Sequence, residues 1–132
     1  MIFKLGKTYS EEFTIREKTY NGFINLFHDK NPLHTCNNFA KGKGFRSAVM
    51  HGNILNGFLS YFIGEKLEIK DVIIHSQEIK YISPVYLDDV LQFNAEIIGI
   101  YESVKAVEFK YKFINQQETI VSRGKFQIGI LL

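Results

Sequence analysis

Between Gly52 and Ile63, six apolar residues (Ile54, Leu55, Phe58, Leu59, Phe62 and Ile63) cover most of a helical circumference. After Asp71 the hydrophobic period changes to two. This juxtaposition constrains the fold more than any other feature. A helix that is apolar nearly all round has to be enclosed, and strands with one greasy face supply the enclosing surface. In Val90–Tyr101, Leu91, Phe93, Ala95 and Ile97 face one way while Gln92, Asn94 and Glu96 face the other. Val107, Phe109, Tyr111 and Phe113 alternate with Glu108, Lys110 and Lys112 over Lys105–Ile114, and Ile120, Ser122, Gly124, Phe126 and Ile128 extend the pattern. Ile73–Ile82 reads as a further strand, stopped by Ser83 and Pro84. Tyr101–Val104 and Asn115–Glu118 are short enough to be hairpin turns. The economical packing is an antiparallel meander of about four strands curled around one buried helix, an α+β domain.

Upstream, Tyr9–Ile15 suits a short strand, and from Arg16 the residues Tyr20, Phe23, Ile24 and Phe27 form a helical stripe. Pro32 restricts Asn31 to extended geometry, so this helix is predicted to end around His28 or Asp29. Leu33–Ala40 can hold another helical turn, and Lys41–Gly44 reads as a loop. On the central helix, Asn53, Asn56, Gly57 and Ser60 form the sole polar or small stripe, and Gly64 is a natural stop.

At 132 residues the chain is expected to be one domain, 1–132. Sixteen basic against 14 acidic residues leave a charge of +2, too little to argue for nucleic acid. One cysteine, Cys36, suits a reducing compartment. Neither a signal peptide nor a run of about 18–20 apolar residues is visible. The expectation is a cytoplasmic chain with no membrane or nucleic-acid partner.

The chemistry concentrates in Asp29–Ser60. Asp29 and His34 stand five residues apart across a proline bend. A carboxylate and an imidazole brought to one point can share a water and move its protons, with Asn31 to orient it. Taken alone, Asp29 as a helix-end cap and His34 as a surface residue is the commoner reading. His51-Gly52 opens the apolar helix, where unpaired N–H groups and the dipole's positive end can hold an oxyanion; an ordinary helix start with a satisfied histidine is equally open. Ser60 is most simply a buried hydroxyl bonded to a carbonyl. Lys41, Lys43 and Arg46 suit either phosphates or a solvated loop. Cys36 shows no sign of activation. His28, His34, His51 and His75 have no ligand-type spacing, so no metal is expected.

Together these residues resemble the MaoC-like (R)-specific enoyl-CoA hydratases, a hot-dog family. The family's G-D-x-N-P-[LIV]-H signature, with a small residue six places on, reads here as Asp29-Lys30-Asn31-Pro32-Leu33-His34 with Ala40. A second block, H-G before an apolar helix carrying a serine, reads as His51-Gly52 and Ser60. Gln77 and Ile82–Asp89 look like the family's strand and its P-V-x-x-G-D turn. The resemblance runs from about residue 7 to the C-terminus.

It implies a hot-dog fold, a central helix wrapped by a curved antiparallel sheet, in a single-repeat homodimer with active sites near the interface. It also implies that Asp29 and His34 hold the water that adds to C3 of a trans-2-enoyl thioester. Asn31, His51, Gly52 and Ser60 would bind or position substrate, with the Gly52 N–H on the thioester oxygen. The substrate is an acyl-CoA or acyl-carrier-protein thioester, and no cofactor is implied. Two departures stand out: Phe27-His28 replaces two near-minimal residues and can narrow the acyl tunnel, add a proton-transfer group or perturb Asp29, and Asp88 replaces the turn glycine. A hot-dog thioesterase and a non-catalytic acyl-binding module are the alternative readings.

Overall fold

The structure, a computed structural model, describes residues 2–131. A five-stranded antiparallel sheet runs in the order β1–β3–β4–β5–β2. Its strands are β1 (Thr8–Thr14), β2 (Val72–Tyr81), β3 (Val90–Tyr101), β4 (Ala106–Ile114) and β5 (Ile120–Ile130). The helices are α1 (Glu17–Phe27), α2 (Pro32–Thr35), α3 (Asn37–Gly42) and α4 (Asn53–Glu65). The sheet curls around α4, the hot-dog arrangement.

The period-two residues explain the wrap. Leu91, Phe93, Ala95, Ile97, Val107, Phe109, Tyr111, Phe113, Phe126 and Ile128 are all buried on the face toward α4. Phe62 on α4 meets Phe93 at 4.8 Å, and Phe58 stacks on Phe13 of β1 at 4.6 Å. Each fully buried large side chain contributes about 1.5–3 kcal/mol relative to exposure, so this seam dominates the stability of the layer.

Four expectations need correction. The meander has three strands, β3–β4–β5, because β2 pairs with β5 on the far edge rather than with β3. The Ile82–Asp89 connection is too long for a hairpin, and Met50 N–H donates to Val85 O as it passes. Gly64 lies inside α4, which ends at Lys66 with its N–H on Phe62 O. The loop expected at Lys41–Gly44 is partly helical: α3 runs to Gly42 and starts from Cys36, whose Sγ accepts the Phe39 N–H. Finally, α4 is enclosed on Ile54, Leu55, Leu59, Phe62 and Ile63, but Asn53, Gly57, Ser60, Tyr61 and Gly64 form an exposed stripe. Ser60 is therefore not the buried hydroxyl its sequence context suggests.

Burial and the nearby Tyr81 and Glu78 push the Tyr111 phenol well above its ordinary value; burial and Glu68 do the same to Tyr9. A phenol whose folded value lies above the unfolded one, about 10, contributes stability that is fully present below pH 10. That contribution is lost as pH rises, because only the unfolded chain ionises. Urea unfolding at about pH 8 and 11 is expected to show a drop in stability that is smaller in Tyr111→Phe.

Candidate active site

The bend after α1 is built from local hydrogen bonds. His28 closes the helix in the left-handed conformation, φ 63°, with its N–H on Ile24 O at 2.8 Å. Asp29 Oδ1 accepts the Asn31 N–H at 3.2 Å, and Asn31 Oδ1 accepts the Leu33 N–H at 2.9 Å. With Pro32 opening α2, the short spacing from Asp29 to His34 becomes one rigid corner.

Long-range contacts then aim the side chains. A carbonyl can only accept, so His34 Nδ1 donates to Val49 O at 2.7 Å. That assigns the proton to Nδ1 and leaves Nε2 with a free lone pair in the neutral ring. Nε2 faces Asp29 Oδ2 at 3.8 Å, too far for a direct bond and suited to two groups gripping one water. The Asp29 side chain is 50% exposed and that of His34 18%. Tyr20 donates its hydroxyl to His34 O.

His51 is only 2% exposed. By the same reasoning its Nε2–H donates to Asp29 O at 2.8 Å. Its ring stacks on His34 at 4.1 Å and 30° and lies 4.6 Å from Phe23 on the other side. His51 Nδ1 is buried without a partner among the described residues. One side chain thus braces the backbone of Asp29 and the ring of His34 together. His51 also lines the cleft, so this bracing stands beside the substrate-binding role expected for it.

Gly52 precedes the first turn of α4, and its N–H has no acceptor among the described residues. A Cβ at this position would stand 2.7 Å from Tyr81 Cε1, so glycine lets the Tyr81 ring lie against the helix start. Asp29, His34, His51, Gly52 and Tyr81 line a cleft of about 490 Å³, whose apolar wall includes Phe23, Met50, Leu55 and Val85. Asn31 and Ser60 are outside that lining. Asn31 caps α2 and shapes the bend from behind, and Ser60 lies on the exposed stripe of α4.

Asp29, His34 and His51 bring possible ligand atoms within 4.8 Å of one another, a cluster that residue spacing did not reveal. Each imidazole, however, has one nitrogen committed to a carbonyl. Arg46 lies over the Tyr86 ring at 4.2 Å and 3.9 Å from buried Asp89, with its side chain still largely exposed. Tyr20, Tyr81 and Val49 were missed by sequence reasoning. Tyr20 reads there as one more apolar-stripe residue, and no local signal marks a carbonyl such as that of Val49.

The family model of the MaoC like domain matches residues 4–117. The chain belongs to the MaoC-like domain family. It is 29% identical to an (R)-specific enoyl-CoA hydratase of Rhodospirillum rubrum over 107 residues, 81% of this chain and 74% of that protein. It is 26% identical over 133 residues to a mitochondrial 3-hydroxyacyl-[acyl-carrier-protein] dehydratase of Arabidopsis thaliana, covering 94% of this chain and 75% of the other. The fold is similar to that of the (R)-hydratase from A. caviae involved in PHA biosynthesis, with TM-score 0.89, 21% identity and 97% of each chain covered.

Against the MaoC-like signature, both departures fall at positive φ. His28 (φ 63°) and Asp88 (φ 70°) stand where the family carries glycine, the residue that meets no Cβ penalty there. Neither Phe27, 67% exposed, nor His28 lines the cleft. Within the single chain this pair stands outside the cleft, and what the structure shows at His28 is a backbone conformation that favours glycine. His28→Gly is expected to raise stability by up to about 1 kcal/mol, relieving left-handed strain at some entropic cost. It should leave turnover unchanged, which thermal melts and a rate assay check together.

Proposed function

We propose that this MaoC-like chain is a hydro-lyase that adds water across the trans-2 double bond of an enoyl thioester, giving a 3-hydroxyacyl thioester of (R) configuration, or runs the reverse dehydration. The observation that carries this reading is the 3.8 Å gap between Asp29 Oδ2 and His34 Nε2 beside the unpaired Gly52 N–H. Water held in that gap gives a proton to His34 Nε2 while its oxygen bonds to C3. Asp29, ionised, holds the other hydrogen and stabilises the imidazolium. Electrons from the C2–C3 double bond move onto the thioester oxygen, where the Gly52 N–H and the α4 dipole receive them. The imidazolium then returns its proton to C2, restoring the carbonyl. Nothing beyond water and the acyl-CoA or acyl-carrier-protein thioester is consumed, and neither a cofactor nor a metal is required.

The same reading has a second copy of the chain completing the site. Strand β2 is an edge of the sheet with Ile73 51% and Ile74 40% exposed, and its Gln77 and Tyr81 bond Asn56 of α4, one turn from Ser60. Covering this edge and the exposed Ser60 stripe would bring Ser60 into an interface between two copies. Scattering or sedimentation of the purified chain would read the dimer directly.

The deciding experiment follows the enoyl-thioester absorbance of crotonyl-CoA and a longer trans-2-enoyl-CoA, with and without chelator. Loss of the band, unaffected by chelator, supports hydration. Release of free thiol to Ellman's reagent with the enoyl band intact would replace this reading with a thioesterase.

A further inference from the structure

On the solvent face of the sheet, one cross-strand row reads Ser10, Asn94, Lys112, Arg123 and Lys80, each residue opposite the next. Three cations therefore stand side by side on β4, β5 and β2. Like charges directly opposite one another destabilise a sheet, so this row costs the fold something that packing does not return. In the neighbouring row Lys110 and Lys125 also stand opposite each other, but each has an acid on its other side: Lys110 pairs with Glu96 at 3.8 Å, and Lys125 stands opposite Glu78. The cationic groups of Lys80, Lys112 and Arg123, all exposed, have no partner among the described residues. The groove they line measures about 840 Å³ and holds five basic and two acidic side chains, a surplus of three. The whole chain carries a surplus of two, so the rest of the molecule is slightly acidic.

We infer that this face docks a protein partner through an acidic helix. The spacing argues for a helix: neighbouring strands place the cations about 4.8 Å apart, and carboxylates at i, i+4 and i+7 repeat about every 5–6 Å along one helix face. Ser10 and Asn94 extend the row as neutral donors. The row ends at Lys80, whose side chain points to the face opposite that of Tyr81, so the partner docks on the outer face of the sheet, away from the cleft. The docking itself does not depend on turnover.

The test uses an Ala-rich helical peptide of about 20 residues, long enough to hold its helix, with glutamates on one face at i, i+4 and i+7. Its binding to the full chain is measured by fluorescence anisotropy. Salt-sensitive binding is expected, weakened about tenfold or more in Lys112→Glu/Arg123→Glu. A peptide of the same composition with its glutamates spread around the helix should bind correspondingly worse. The control Lys41→Glu/Lys43→Glu makes the same charge change elsewhere and should bind like wild type. Arg123→Glu alone should melt about 1–4 °C higher, because the like-charge opposition is relieved. Equal binding of the scrambled peptide, an equal loss in the control variant, or displacement by an equimolar amount of tripolyphosphate would overturn the docking of an acidic helix. A lower melting temperature would instead make the row structural.

Discussion

Asp29→Asn is expected to lower the rate of enoyl-thioester hydration by roughly a thousandfold, within the range that positioned acid–base groups supply. The substitution is chosen to isolate charge. Asparagine keeps an Oδ1 to accept the Asn31 N–H, so the corner survives, and the carbonyl that receives the His51 Nε2–H belongs to the backbone. What disappears is the negative charge facing His34 Nε2. Because the side chain is half exposed, stability should change by no more than about 0.5 kcal/mol. Steady-state kinetics with a thermal melt separate the two effects. Wild-type turnover in this variant on a substrate that wild type hydrates would sink the mechanism.

His34→Gln is expected to lose a comparable factor, about 10²–10⁴, with some loss of stability. Glutamine can still offer an N–H to Val49 O but has no lone-pair nitrogen to take a proton, and its amide does not stack on His51. Combining it with Asp29→Asn should cost little more than either alone, since both act on one water. His51→Phe separates placement from chemistry. It keeps an aromatic ring between Phe23 and His34 but removes the donor to Asp29 O and the unpaired Nδ1. The expected outcome is about a tenfold loss in kcat with KM little changed. A loss as deep as that of His34→Gln would mean that His51 itself moves a proton.

These variants probe a site only half of which was legible in the chain. Asp29, Asn31, Pro32 and His34 lie within one turn-forming segment, and the bonds that bend it join residues two or three apart. Such geometry is set by short side-chain-to-backbone contacts and the proline ring, so it can be read from a string. His51 was legible as part of a motif, but its bracing of Asp29 and His34 was not, because its acceptor lies 22 residues upstream and it packs against Phe23 of α1. Ser60 was misread for the converse reason: an apolar neighbourhood in sequence does not say which helical face the sheet leaves open. The meaning of His28 was likewise hidden until its φ was seen.

By itself, the sequence determined the alternation that makes one face of each strand apolar, the helix those faces enclose, and the corner that joins Asp29 to His34. These follow from periodicity and local stereochemistry, which involve only near neighbours along the chain. Tertiary structure alone decided that β2 crosses to the far edge, and that Val49 O sets the tautomer of His34. It also decided that His51 braces both halves of the site, and that Lys80, Lys112 and Arg123 meet in one row. Each of these depends on register between distant segments. A shift of one residue turns a side chain to the opposite face, so no local rule could have placed them.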